Sequence, residues 1–226
     1  MTWREGIYMG YNIAIDGPAS AGKSTIAKLV AKDKGYIYVD TGAMYRAMSI
    51  HFMKENISAN DLIGISENCK NADVKIVYEA GVQQVYLNQE NITSQLRDEA
   101  VGNVASQIAA IPAVREHLLD LQKNLAKEFD VVMDGRDIGT NVLPGANTKI
   151  YLTASVEARA GRRFKELEEK GIVCDLQEIA ADIADRDYRD MNRDIAPLKQ
   201  AEDAILIDSS DMTIDDVVNA ILEACK

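Results

Sequence analysis

The chain has 226 residues, 47% of them hydrophobic and 27% charged, with 25 Lys plus Arg against 36 Asp plus Glu and a formal net charge of −11. That length fits one domain carrying insertions, and burying roughly 70% of the unfolded surface is enough to hold a core without disulfide or metal. No run approaches the ~20 apolar residues that span a bilayer. Residues 1–10 lack the apolar stretch of a signal peptide, and the anionic balance argues against binding a nucleic acid polymer. Cys69, Cys174 and Cys225 are too few and too scattered for a disulfide framework or a zinc site, which points to reduced thiols in the cytoplasm.

In chain order, residues 1–8, ahead of Met9, are expected to lie outside the fold as an extension. A buried strand over Tyr11–Ile15 runs into a glycine-bearing turn and a helix from Lys23 to Lys34. A second strand, Tyr36–Val39, ends at Asp40. Residues 73–93 alternate apolar and polar about Glu79-Ala80-Gly81, the pattern of an antiparallel hairpin with one wet face. Short apolar runs return at Phe129–Met133, Lys149–Leu152 and Ala204–Ile207, each followed by a helical pattern. Such runs alternating with helices predict an α/β fold built on a parallel sheet covered on both faces. The hairpin breaks this rhythm and is assigned to an inserted lobe at 65–100. Arg159–Gly171, charged and helical, reads as a flap. The last helix, Thr213–Ala224, opens on Asp215 and Asp216 in an ordinary capping arrangement.

Against the negative total, six of the 11 arginines fall within 35 residues: Arg159, Arg162, Arg163, Arg186, Arg189 and Arg193. A small anionic ligand suits such a cluster. The anion is specified by Gly17-Pro18-Ala19-Ser20-Ala21-Gly22-Lys23-Ser24, followed by Thr25, which satisfies G-x-x-x-x-G-K-[ST] between a strand and a helix. Glycines let successive N–H groups turn inward, the helix N-terminus adds positive potential, and Lys23 reaches the β- and γ-phosphates. Ser24 is placed to bind Mg²⁺, and Asp134, at the end of an apolar run, is the candidate acid beside that ion. No Asn-Lys-x-Asp motif for reading guanine is present, which removes the GTP switches.

Four segments in order, Gly17–Thr25, Asp40–Arg46, Asp134–Thr140 and Arg186–Arg193, resemble the successive motifs of bacterial cytidylate kinases. The resemblance spans Tyr11 to the C-terminus. It implies ATP-dependent phosphorylation of CMP and dCMP by a P-loop kinase core with a five-stranded parallel sheet, an inserted nucleoside monophosphate lobe with a small antiparallel sheet, and a short helical lid. The corresponding division is core at 11–64, 101–157 and 177–226, acceptor lobe at 65–100 and lid at 158–176. Carried over by motif, Asp40, Thr41, Tyr45, Arg46, Arg115, Arg136, Asp137, Arg186, Asp190 and Arg193 face the acceptor, and Ser106 meets the cytosine. Lys23, Arg136, Arg162, Arg186 and Arg193 are the candidates for the catalytic work, with Arg159 and Arg163 assigned to ATP.

Physical chemistry supports these roles and leaves alternatives. Planar guanidinium forks suit a phosphate dianion, a task for Arg46, Arg115 and Arg136. Arg186, Arg189 and Arg193, spaced i, i+3, i+7, are expected on one helical face; a solvated face paired with neighbouring aspartates is the other reading. Arg159, Arg162 and Arg163 either close over ATP or belong to a charged surface helix. Asp137 either accepts from ribose hydroxyls or anchors arginines, and both can hold together. No general base is needed, because the attacking oxygen is already ionised; His51 and His117 are read as packing or surface residues. The resulting expectation is a cytoplasmic monomer using ATP and Mg²⁺. Its rivals are a kinase for UMP, shikimate or dephospho-coenzyme A, and a nucleotide-sensing module without turnover.

Overall fold

The computed structural model describes residues 10–225; the extension expected at 1–8 lies outside them. Five strands make a parallel sheet: β1 (Asn12–Asp16), β2 (Ile37–Asp40), β6 (Val131–Gly135), β7 (Thr148–Thr153) and β8 (Ile205–Asp208), in spatial order β2-β6-β1-β7-β8. Their sequences are apolar throughout because both faces are covered. In β1, Ala14 packs into the cluster of Met44, Phe52, Leu118 and Ile138, while Ile13 and Ile15 point the other way, toward Ile26, Val30, Ile150 and Ile221. Next to it, Val131 and Met133 of β6 join the first cluster and Val132 the second. This two-residue alternation is the pleat of a strand buried on both sides. Phe52 is fully buried, so truncating it to Ala is expected to cost about 3–5 kcal/mol.

Among the described residues, eight α-helices surround the sheets. On one face lie α1 (Lys23–Lys34) and α8 (Ile214–Ala224), the latter closed by a capping box between Thr213 and Asp216. Against the other lie α2 (Thr41–Lys54) and α5 (Pro112–Glu128), with α4 (Glu99–Ile108) packed on α2. His51 on α2 is buried and meets the Asn68 carbonyl at 3.2 Å, and His117 on α5 meets the Ala72 carbonyl at 2.7 Å, so both histidines are packing residues as expected.

After α3 (Leu62–Asn68), the expected hairpin forms as β3 (Val74–Glu79) and β4 (Val82–Leu87), turned through Ala80 and Gly81 with φ of 50° and 77°. A two-residue strand, β5 (Glu90–Asn91), completes a separate antiparallel sheet. The expected flap is part of a helical pair, α6 (Val156–Glu169) and α7 (Leu176–Asn192), joined at Lys170–Asp175. Its charged outer turns are exposed. Near its start, Arg159 and Ala160 are buried where α6 leaves the core. Strand ends differ from expectation by one or two residues. The three cysteines are free, and among the described residues no helix is long and apolar enough to cross a membrane.

Candidate active site

A cleft of about 1220 Å³ opens at the C-terminal ends of β1, β2 and β6, between the helical pair and the α2–α4 side. Ligands in open α/β sheets sit at such strand ends. The loop after β1 forms its floor. Gly17 is required there because a Cβ would collide with the Leu152 carbonyl on β7. Gly22, at φ 82°, serves as the N-cap of α1 and supplies no side chain to its first N–H groups. Those donors are left to face the cleft, the arrangement that binds phosphate. Lys23 is buried, and its ammonium donates to the Pro18 carbonyl at 2.6 Å. Burial, then repulsion by Arg136 and Arg186, pulls its pKa below the ordinary lysine value.

Beside the loop, the Ser24 hydroxyl donates to Asp134 Oδ2 at 3.0 Å and the Tyr38 hydroxyl to Oδ1 at 2.9 Å. Burial and the nearby Asp40 push the Asp134 carboxyl up to about 6, partly offset by Lys23. A buried, hydrogen-bonded carboxylate next to a serine hydroxyl is the hard-oxygen set that suits Mg²⁺ carried in with a nucleotide. Asp40 caps α2 by accepting from the Ala43 N–H at 3.0 Å. Thr41 is buried, and its hydroxyl is committed to the Asp134 carbonyl at 2.8 Å, so it holds the strand end together while lining the cleft.

The arginines divide into paired and unpaired. Arg136 donates through Nε to Asp190 Oδ2 at 2.8 Å. Although burial opposes ionisation, Arg136 holds the Asp190 carboxyl below its ordinary value. Arg115 pairs with Asp137 Oδ2, lies over the Tyr45 ring at 5.9 Å, and shares Asp137 with Arg193, whose Nη2 is 3.2 Å from Oδ1. Asp137 is therefore an arginine anchor in this structure. By contrast, Arg46 and Arg186 have no carboxylate within ion-pair distance among the described residues, and the Arg186 Nε is buried without a partner. Burial first, then Arg136, lowers the Arg186 pKa to about 10. The Ser106 hydroxyl, also lining the cleft, is another buried group without a partner. Unpartnered buried polar atoms facing a cleft are groups waiting for a ligand.

Two expectations change. Arg193 is not on the face of α7 with Arg186 and Arg189; it lies just past the helix end in extended backbone, because its guanidinium is drawn to the Ala196 carbonyl at 2.8 Å and to Asp137. Arg159 does not face the cleft. Its guanidinium is buried against the underside of the phosphate loop, bonded to the Ala19 carbonyl at 2.8 Å and paired with Asp187 at 2.6 Å. Arg162 and Arg163 do reach the cleft wall, Arg162 held by Ser209 and Arg163 paired with exposed Glu166 at 2.9 Å. Sequence reasoning also passed over three residues: Asp16, which accepts the N–H groups of Ile138 and Gly139 at 2.8 and 2.7 Å, Asp187, and Tyr38. Asp16 had a signal in its place directly before Gly17. Asp187 had one in its spacing of one turn before Asp190.

The model of the cytidylate kinase family matches residues 13–226. A cytidylate kinase of Caldicellulosiruptor saccharolyticus is 51% identical over 212 residues, covering 94% of each chain. One of Lactobacillus johnsonii is 46% identical over 220 residues, covering 97% of this chain and 96% of its own. Among solved structures, a gluconokinase from Sinorhizobium meliloti aligns with a TM-score of 0.50 at 13% identity, covering 96% of this chain and 92% of its own, a likeness of fold alone. With the phosphate loop, the unpaired arginines and this likeness over nearly its whole length, the chain belongs to the cytidylate kinase family.

Proposed function

We propose that the chain transfers the γ-phosphoryl group of ATP to CMP and dCMP, yielding ADP with CDP or dCDP, in a single in-line step. The observation that carries this reading is the gathering of Lys23, Arg136 and Arg186 around one cleft, where Arg136 repels both of the others and the buried Arg186 Nε has no partner. Anions drawn between them relieve that repulsion, and two phosphate-bearing ends are the anions that fit. The triphosphate lies on residues 17–24, with Lys23 exchanging the Pro18 carbonyl for phosphate oxygens. Ser24 and Asp134 are the residues that would hold Mg²⁺ there, and the ion would supply neutralisation of phosphate charge.

The acceptor phosphate meets Arg46, Arg136 and Arg186. Asp137, with Arg115 and Arg193 behind it, presents acceptor capacity to ribose hydroxyls, and Ser106 offers its hydroxyl to the cytosine edge. An acceptor phosphate oxygen attacks the γ-phosphorus as the bond to ADP breaks. The guanidinium groups stabilise the charge spread over the transferring group, so no side chain has to remove a proton. In this reading residues 65–100 are the acceptor lobe and 158–176 the lid, which excludes water when it closes.

The test is ADP release measured with CMP, dCMP, UMP, AMP and shikimate as acceptors. CMP and dCMP are expected to turn over fastest. Absence of magnesium-dependent turnover with every pyrimidine monophosphate would sink the reading, and tight ATP binding without turnover would favour a sensing module.

A further inference from the structure

The phosphate loop is gripped from below by two residues that never face the nucleotide cleft. Asp187 Oδ1 accepts the Ala19 N–H at 3.0 Å, and Arg159 Nη1 donates to the Ala19 carbonyl at 2.8 Å. The same guanidinium pairs with Asp187 Oδ2 at 2.6 Å and donates through Nε to the Ala154 carbonyl, just beyond β7, at 2.9 Å. Both backbone polar groups of one loop residue are thus held by a single buried ion pair, with Arg159 and Asp187 only 4% and 7% exposed. Arg159 comes from α6 and Asp187 from α7, the two helices that also carry Arg162 and Arg186 to the cleft.

We propose that Arg159 and Asp187 are positioning residues that register the phosphate loop, through Ala19, to the helices bearing the cleft arginines. Two physical points support this. A buried ion pair contributes little stability compared with apolar residues of the same volume, so packing alone gives no reason for one here. In addition, Ser20, the next residue, is held at φ 57°. A non-glycine residue stays in that region only where its surroundings over-determine it, and the grip on Ala19 supplies the constraint. Freed from it, the loop relaxes away from the shape that aims its N–H groups at phosphate.

This inference rests on the reading above only in taking residues 17–24 to hold the donor's phosphates. The experiment is equilibrium calorimetry of ADP and of CMP binding to the full chain, with melting recorded alongside, for wild type, Asp187→Asn and Arg159→Lys. The asparagine keeps an acceptor for the Ala19 N–H but loses the pair, and the lysine keeps the charge but cannot bridge the Ala19 and Ala154 carbonyls together. Each variant is expected to bind ADP about tenfold more weakly, with CMP affinity within about twofold of wild type, because preorganisation of the loop alone is lost. Unchanged ADP affinity in a folded variant, even with lowered melting, overturns the proposal by showing a purely structural pair. Equal weakening of ADP and CMP overturns it too. Wild-type protein that binds no ADP would instead sink the phosphoryl-transfer reading, a separate result. If Asp187→Asn fails to fold, Arg159→Lys decides alone.

Discussion

The strongest charged neighbour of Arg186 is Arg136, another cation, and only Arg136 has a carboxylate, Asp190, at 2.8 Å. Arg186, with its Nε buried and no carboxylate within ion-pair distance among the described residues, leaves its charge uncompensated in the nucleotide-free protein, beside a guanidinium that is already paired. Their arrangement makes sense as half of a site whose other half arrives with phosphate.

Replacing Arg186 with Met should therefore separate function from stability. Turnover with CMP is expected to fall by about 10³-fold or more, the scale of an arginine acting on a transferring phosphoryl group. The melting temperature without nucleotide is expected to hold or rise, since a half-buried and repelled charge has been removed. A large drop in melting temperature would mean that Arg186 is part of the scaffold.

Asp137 predicts the reverse sign. It is the shared counter-ion of Arg115 and Arg193, all three nearly buried. Asp137→Asn strands both guanidinium groups and is expected to destabilise the protein by about 3–5 kcal/mol, read from urea unfolding. It should also raise KM for CMP.

Chelation with EDTA is expected to stop turnover while leaving the melting temperature of the nucleotide-free chain unchanged. In the proposed reading Ser24 and Asp134 take up an ion that arrives with the nucleotide, so the chelator has no part of the nucleotide-free scaffold to remove. Asp134→Asn should raise the Mg²⁺ concentration for half-maximal rate by about tenfold, a cost of about 1.4 kcal/mol. Equal rates at all Mg²⁺ levels in wild type and variant would remove Asp134 from the ion's shell.

The pH dependence of folding should report Asp16. Burial raises its carboxyl from 3.8 to about 6, against the opposing N–H groups of Gly139 and Ile138, with Asp137 adding to the rise and Lys23 opposing it. With the folded pKa raised, the native state binds the extra proton between those values. The contribution of Asp16 to stability is then fully present below pH 3.8 and lost as pH rises through 6. Relative to Asp16→Asn, wild type is expected to gain up to about 3 kcal/mol as pH falls from 7 to 4, measured by denaturant unfolding. A difference that does not vary with pH would show that the carboxyl titrates normally.

A feature of this protein is legible in its sequence to the extent that it is local. The phosphate loop, the doubly buried strands and the Ala80-Gly81 turn were legible because each is specified by a few adjacent residues and their spacing. The Ser24–Asp134 contact was legible as well, since the loop and the strand end meet in any parallel sheet of this kind. Which arginines face phosphate was not. Arg159, Arg162 and Arg163 look alike as a charged helical run, but α6 leaves the core at Val156, and only the face carrying Arg159 and Ala160 is sealed against it. Arg193 appears one helical turn beyond Arg189, yet α7 ends at Asn192 and a neighbouring carbonyl takes its guanidinium. Composition and short-range pattern thus determined the core, the cradle and the kind of ligand. The tertiary structure alone decided which charges are neutralised by partners distant in sequence and which are left for the substrates, because ion pairing in a buried site depends on three-dimensional neighbours rather than on spacing along the chain.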